Sequence, residues 1–215
     1  MPGVRPEPLR LYRIVHIENV EYILRNGIYT RQSPNNDPNY INIGDSTLII
    51  QRSDYPIPMA GYGNLGDYIP FYFSGHSPML LNIKTGYRGI TKRPQHEIVY
   101  LVCQLDEIIK NCDHWIFTDG HAKDRLTSFH TNLDALDEID WDMVREQYWA
   151  PTEEDYGRQR RKQAEFLVKD HVSIGCIEGI VVRDKKRESI VQELINELGM
   201  TLKLKVDTTN KLYYP

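Results

Sequence analysis

Apolar and polar positions along this chain predict several short strands, three or four helices and two long polar connections. Leu9–Val15 alternates weakly and ends at His16, which predicts a first strand delivering a histidine at its end. Glu18–Asn26 places Val20, Ile23 and Leu24 on one helical stripe, and Gly27 is positioned as the helix stop. Thr30–Gly44 is rich in Asn, Pro and Asp and predicts a long loop, followed by a short apolar segment at Thr47–Ile50. Ile69–Phe73 reads as a buried aromatic strand. The small residues Ser74, Gly75 and Ser77 then let the chain turn, and Ser74 or Ser77 can cap the apolar segment after Pro78. Glu97–Leu105 is the most continuous apolar run and predicts a central strand, with Asp106 capping a short helix through Lys110. Trp115–Thr118 predicts another strand, and Leu133–Gln147 one or two acidic amphipathic helices. Trp149–Gly157 reads as a loop. Strand material follows at Phe166–Val168, Val172–Ile177 and Gly179–Val182. Lys186–Leu198 is then a helix with Ile190, Val191, Leu194, Ile195 and Leu198 on one face and Gly199 as its stop. Thr201–Val206 supplies a last strand. The mixed order predicts a single α+β domain over residues 1–215.

Composition narrows the class. The chain has 215 residues, enough for one sizeable core. No run approaches the ~20 apolar residues that span a bilayer, and the start lacks a signal-peptide core. Cys103, Cys112 and Cys176 have no metal-like spacing, and Cys103 sits inside an apolar run. This usage fits a reducing cytoplasm. With 26 Lys+Arg against 30 Asp+Glu, the net charge of −4 excludes an all-over basic coat but not a local basic groove. The charges are segregated. Asp134–Asp142 holds five acids and no base, whereas Arg158–Lys162 is densely positive, with a looser group at Lys84, Arg88, Lys92 and Arg93.

Two motif matches are set aside. Gly61-Tyr-Gly63-Asn-Leu-Gly66 has the letters of the dinucleotide fingerprint, but it is flanked by loop on both sides, where the pyrophosphate needs a strand before and a helix after. Asp119 and His121 with His114 or His130 match no metal spacing, so no metal is expected.

Three features come in a telling order: a strand-end His16 followed by a helix ending in glycine, the strand Phe71-Tyr72-Phe73-Ser74, and Glu165 after a basic run. The order resembles the His-Tyr-Glu pattern of diphtheria-toxin-like and poly-ADP-ribose-type transferases, in which a split antiparallel sheet grips NAD. The blocks HIENVEYILRNGI, INIGDSTLIIQR, LGDYIPFYFSGHSPML, TDGHA, DEIDW and RRKQAEFLV together resemble the DarT family, over nearly the full length. Gly75-His76 departs from that family's pattern, where Pro-Arg is expected.

The resemblance implies an ADP-ribosyltransferase-like split antiparallel sheet with flanking helices. It implies transfer of ADP-ribose from NAD onto a base of single-stranded DNA, thymidine rather than guanine. The protein is then the toxin of a pair whose partner is a DarG-like macrodomain antitoxin. Glu165 becomes the catalytic glutamate. The residues support this independently, because cleavage of the nicotinamide–ribose bond passes through an oxocarbenium-like state that a carboxylate stabilises, and a lone acid on an apolar stretch needs a reason. Arg52 becomes the active-site arginine, suited to a pyrophosphate or to assisting proton transfer. His16, with Asn19 and Gly27 in its block, is expected to orient NAD, although Asn19 can equally cap the helix. Alternation sends Tyr72 and Phe73 to opposite faces, and Tyr72 is the one expected to stack on nicotinamide. On the acceptor side stand His121 and, before Glu165, Tyr148, Trp149, Arg158 and Arg160, which combine aromatics with positive charge. Residues 30–58 are expected to form a mobile loop over NAD and 148–162 a substrate loop. Three other readings remain at this point: transfer to a protein or other acceptor, a non-catalytic nucleotide or single-strand binding module, and a metal nuclease.

Overall fold

A computed structural model describes residues 3–215, so the first two residues of the expected domain lie outside it. The first half of the chain forms β1 (Arg10–His16), α1 (Val20–Asn26), β2 (Ile28–Tyr29), α2 (Ser46–Ser53), β3 (Tyr68–Tyr72), α3 (Pro78–Thr85), β4 (Ile98–Gln104) and α4 (Leu105–Asn111). The second half forms β5 (Trp115–Thr118), β6 (Phe129–His130), α5 (Trp141–Arg145), α6 (Arg158–Lys162), β7 (Glu165–Lys169), β8 (His171–Val172), β9 (Ile177–Val182), α7 (Lys185–Glu197) and β10 (Lys203–Val206).

Eight strands make one sheet in the order β10-β9-β4-β1-β3-β7-β5-β6. It is antiparallel except at its edge, where β10 runs parallel to β9 after the α7 crossover, so the expected all-antiparallel sheet is mixed. The middle of the sheet is where it opens. β1 pairs with β4 along its whole length and β3 with β7 along its whole length, but β1 and β3 share one register pair, Tyr12↔Tyr72. On one side of that pair the two halves diverge, and Arg13 reaches across by donating from Nη1 to Pro70 O at 2.9 Å. The sheet is split, and the split carries polar side chains.

β4 is the strand that the long apolar run predicts. Its first six residues are buried because it has a partner on each side. One core gathers Phe71, Phe73, Phe117, Trp141 and Phe166, and a second, under α3, gathers Ile14, Leu80, Ile83, Ile98 and Tyr213. Ser77 caps α3 by accepting from Leu80 N at 3.2 Å, with Pro78 at the first helical position. The chain end is tied down by Asp207, whose carboxylate accepts from the backbone N–H of Lys211, Leu212 and Tyr213 at 3.0, 2.8 and 3.1 Å.

Four local expectations are corrected. Val172–Ile177 is not a strand: pairing stops at Val172 and a 3-10 turn spans Ile174–Cys176. Asp106 does not cap α4, which starts one residue earlier, at Leu105. Leu133–Gln147 is a 3-10 stretch at Leu133–Glu138 followed by the short α5, capped by Asp140. Ile190 is 49% exposed and lies outside the α7 stripe, of which Val191 and Ile195 are buried and Leu194 and Leu198 pack partly buried against the core.

Lys162 is 5% exposed and its Nζ donates to Val144 O at 2.7 Å. Burial pulls its pKa down from 10.5 to about 8, with Glu146 pulling weakly the other way. Between those values the unfolded chain binds the proton and the folded chain does not, so stability rises with pH across this window. Lys162→Met is expected to remove a rise of roughly 3 kcal/mol between pH 8 and 10.5, measured as the wild-type-minus-variant difference in chemical denaturation. Identical slopes in the two proteins would show that the ammonium is solvated in the folded state.

Candidate active site

The chemistry-bearing residues fall into three places, and the first is built around Glu165. This residue opens β7 directly opposite Tyr72 and is 2% exposed. Its Oε1 accepts from Ala122 N at 3.0 Å and Arg52 Nη1 at 3.1 Å, while Oε2 accepts from Arg52 Nη2 at 2.8 Å. Its own N–H donates to Thr118 Oγ1 at 3.1 Å, and that hydroxyl donates to Gly120 O at 2.7 Å. Carboxylate and backbone are therefore both fixed. Burial alone pushes the Glu165 pKa up, but Arg52, His121 and the hydrogen bonds from Arg52 and Ala122 overcome it, and the net shift is downward. The group is an ionised carboxylate in a dry place.

Arg52 comes from α2, and α2 is an unusual support. Asp45 caps it by accepting from Leu48 N at 3.0 Å, yet none of its residues is buried. It is tied to its surroundings by the Arg52–Glu165 pair, by Lys123 donating to Gln51 Oε1, and by a close passage of backbone. A Cβ on Gly66 would lie 2.6 Å from Ser53 O and 2.7 Å from Ser53 Cα. Gly66 is the last glycine of the fingerprint set aside above, and its role is to let the chain pass beneath the residue next to Arg52. Gly66→Ala is expected to displace α2, so turnover should fall at least tenfold while the melting temperature drops by only a few degrees. Unchanged turnover would show that α2 gives way without moving Arg52.

The aromatic strand alternates as period two requires. Phe73 packs edge-on against Trp141 and Phe166 in the core, and Tyr72 lies on the Glu165 side. The Tyr72 hydroxyl, 3.8 Å from Met79 Sδ, is pushed up by burial and by the Glu165 charge. His121 joins this group: burial pulls its pKa down, and it feels Glu165 and Arg52 in opposite senses. Its N–H donates to Arg160 O at 3.0 Å.

The second place is the far end of β1. His16 is 3% exposed; its Nδ1 accepts from Glu18 N at 3.3 Å, which leaves the proton on Nε2, 3.5 Å from Glu97 Oε2. Arg93 Nη1 stands 3.5 Å from the same nitrogen and 3.4 Å from Glu97 Oε2. Asn19 makes no helix cap. Its side chain clamps the polar loop instead, donating from Nδ2 to Ile41 O and accepting from Ile41 N, both at 2.9 Å. Gly27 has φ +84, and a Cβ there would meet His171 Nε2 at 2.5 Å and Val172 O at 2.6 Å.

Tyr148, Trp149 and Arg158 occupy the third place, a groove of about 490 Å³ that they share with His76 and Tyr214. Arg160, two residues after Arg158 on α6 and not part of the groove wall, is tied to Asp119 Oδ1 at 3.1 Å and Thr127 Oγ1 at 3.3 Å. Asp119 is thereby an ion-pair partner and His130 stacks on Phe117. Among the described residues no group of three or more His, Cys, Asp or Glu is arranged to hold a metal ion. Sequence reasoning passed over Thr118, Ala122, Arg93, Glu97 and Tyr214. The first two lie within the Thr118–Ala122 block that carries His121, Arg93 stands out only as one of a loose basic group, and Glu97 and Tyr214 carry no functional signal until the chain is folded.

Comparison with known proteins places this geometry among characterised ones. A family model described as "ssDNA thymidine ADP-ribosyltransferase, DarT" matches residues 12–214. A DNA ADP-ribosyl transferase of Escherichia coli O127:H6 is 35% identical over 200 residues, covering 93% of this chain and 92% of the relative. The structure of Thermus sp. 2.9 DarT in complex with ADP-ribosylated ssDNA superimposes with a TM-score of 0.87 at 30% identity over 100% of both chains. The same enzyme in complex with NAD+ gives 0.81 at 29% identity, over 98% of this chain and 100% of the other. A Thermosipho africanus fusion of DNA ADP-ribosyl transferase and DNA ADP-ribosyl glycohydrolase is 29% identical, over 89% of this chain and 47% of the fusion.

Proposed function

The chain belongs to the DarT family, and from that premise we propose how its residues divide the work of moving ADP-ribose from NAD to a thymidine of single-stranded DNA. The activity is that of a toxin, and its matching partner is a DarG-like macrodomain antitoxin that removes the modification, the two activities being joined in one chain in the Thermosipho relative. The observation that carries the assignment of roles is the buried, doubly hydrogen-bonded Arg52–Glu165 pair facing Tyr72 at the split of the sheet.

NAD enters the split with its nicotinamide against the Tyr72 ring and its ribose toward Glu165. His16, held by Glu18 N–H and Glu97, orients the dinucleotide from the far end of β1. Residues 30–58 fold over it, tied down where Asn19 clamps Ile41, with α2 as the part that carries Arg52 into the site. As the C–N bond to nicotinamide breaks, its electron pair leaves with the nicotinamide. The Glu165 carboxylate then stabilises the cationic ribose carbon. A ring nitrogen of the base attacks that carbon and gives up its proton, which a carboxylate or an adjacent basic group must take. The His121 side is where the base arrives, and the 148–162 segment holds the rest of the strand. A base already single-stranded costs least to bring in. Among the described residues no helix is long and apolar enough to cross a membrane. This reading puts the protein in the cytoplasm, where DNA, NAD and reduced thiols coexist.

The test incubates the protein with labelled NAD and mixed single-stranded and duplex oligonucleotides. Label is expected on single strands that contain thymine. Label on added protein with none on DNA would move the acceptor elsewhere, and binding with no nicotinamide release would make the chain a binding module.

A further inference from the structure

The three cysteines are free thiols in one core cluster, and two of them are placed unlike the third. Cys103 lies inside β4, fully buried, and burial pushes its thiol up into an inert range. Cys112 and Cys176 lie where two elements meet. Cys112 directly follows α4, and Cys176 closes the 3-10 turn Ile174–Cys176, which packs against that helix. Cys176 Sγ lies 3.7 Å from Glu107 O of α4, and Cys112 Sγ donates to His171 O of β8 at 3.9 Å. The two thiols come into hydrogen-bond contact with each other, and Ser173 Oγ stands 3.6 Å from Cys176 Sγ. Packing alone does not call for two sulfurs and a hydroxyl at one point of a core.

The pair is chemically asymmetric. A sulfur that accepts hydrogen bonds holds negative charge more easily than one that donates them. The contact with Cys112, helped by Ser173, draws the Cys176 pKa down, while the same contact and burial push Cys112 up. Cys176 is thus the nucleophile of the pair. Cys112 is the member nearer solvent, 8% exposed against 1%, on the side from which a small oxidant arrives.

We propose that Cys112 and Cys176 form an oxidation site, at which a peroxide closes a disulfide between the end of α4 and the turn before β9. The Cys176 thiolate attacks one peroxide oxygen, the O–O bond breaks, and the other oxygen leaves as water after taking a proton. The Cys112 sulfur then attacks the Cys176 sulfenic acid. The S–S bond forms, and the hydroxyl leaves with the Cys112 proton as a second water. Two thiols and one hydrogen peroxide give one disulfide and two waters. The effect reaches the long polar loop through β8. That strand pairs with β2, His171 stacks on Tyr29 with ring centroids 4.2 Å apart, and Thr30 N donates to Asp170 O at 3.0 Å where the loop begins. The bridge fixes β8 from behind and stiffens the base of the segment that carries Arg52. The oxidation itself does not depend on the reaction assigned to Glu165.

The test treats the whole reduced protein with hydrogen peroxide, alkylates the remaining thiols after unfolding and maps the peptides. The intact mass is expected to lose two hydrogens, with Cys112 joined to Cys176 and Cys103 alkylated. Closing so long a loop should raise the melting temperature on the order of 10 °C, reversed by dithiothreitol. Amide exchange at Tyr29 and Thr30 should slow severalfold. Release of a non-hydrolysable NAD analogue should slow with it, on the reading that this loop covers NAD. In Cys112→Ser, or Cys112→Ala where serine folds poorly, Cys176 is expected to accumulate a sulfenic acid that dimedone traps, whereas Cys176→Ser leaves Cys112 unlabelled. Three free thiols after peroxide, a bridge to Cys103, or sulfinic acid at Cys176 without a bridge would overturn the proposal. A bridge that leaves exchange at Tyr29 unchanged would overturn its link to the loop.

Discussion

Glu165→Gln is expected to lower transfer to single-stranded DNA by roughly 10²–10⁴-fold while binding of the NAD analogue changes little. The reason lies in what the amide keeps and what it loses. Gln fills the same space and can still accept from Ala122 N, so the start of β7 and the Thr118 hydroxyl bond stay as they are. It loses the full negative charge, which is the quantity an oxocarbenium-like state feels in a dry site. Arg52 is the complication. Its guanidinium is 14% exposed and spends two N–H groups on Glu165, so the variant leaves a buried cation facing a neutral amide. Breaking a buried pair from one side costs about 3–5 kcal/mol, and at about 2–4 °C per kcal/mol the melting temperature should fall visibly. Glu165→Gln combined with Arg52→Met removes both charges and should melt higher than Glu165→Gln alone, yet stay just as inactive. A double variant that regained transfer would mean that Arg52, not Glu165, sets the barrier. A Glu165→Gln enzyme with near-normal turnover would remove Glu165 from the chemistry altogether.

How far the site could be read from the chain alone follows from the range of the interactions involved. Glu165 is legible because the anomaly is local: one acid inside an apolar strand, in a position opposite Tyr72 that alternation then accounts for. β4 is legible for the same reason, six apolar residues in a row requiring a strand on either side. Arg52 is not legible without the family blocks. It sits on an eight-residue helix with no buried residue, and its partner is 113 residues away. Asn19 shows a local rule losing to a distant one. Asparagine before a helix is a good cap, but here both ends of its amide are taken by Ile41, because the long polar loop has backbone groups that nothing else satisfies. Arg160 shows the reverse risk. In the sequence it belongs with Arg158 as free positive charge, yet Asp119 holds it, and of the two only Arg158 makes no salt bridge among the described residues. The split itself leaves no mark in the pattern, since β1 and β3 each have an ordinary full-length partner on the other side.

Arg52→Met should invert the way the fold responds to acid. In the wild-type protein the folded Glu165 pKa lies below its ordinary 4.5, so this group adds stability that is present above that value and lost as pH falls through the folded pKa. Without Arg52, burial dominates and the folded pKa rises above 4.5. The folded chain then binds the proton more tightly than the unfolded one. Stability is fully present at low pH and lost as pH climbs through the raised value, so the denaturation profile should slope the opposite way. His121 recovers part of this, because Arg52 also holds its pKa down, and adding His121→Phe should steepen the slope. The chemistry must follow the same titration. Only the ionised carboxylate stabilises the cationic ribose, so the acid limb of the rate–pH curve should move upward, with turnover at its plateau down roughly 10²–10³-fold for the missing cation. The two curves serve as mutual checks, since one proton governs both. An acid limb that stays in place while the stability slope inverts would place the rate-controlling proton on a group other than Glu165. A slope that keeps its wild-type sign would mean that water enters when Arg52 leaves, and the dryness of the site would then belong to α2 and its arginine together.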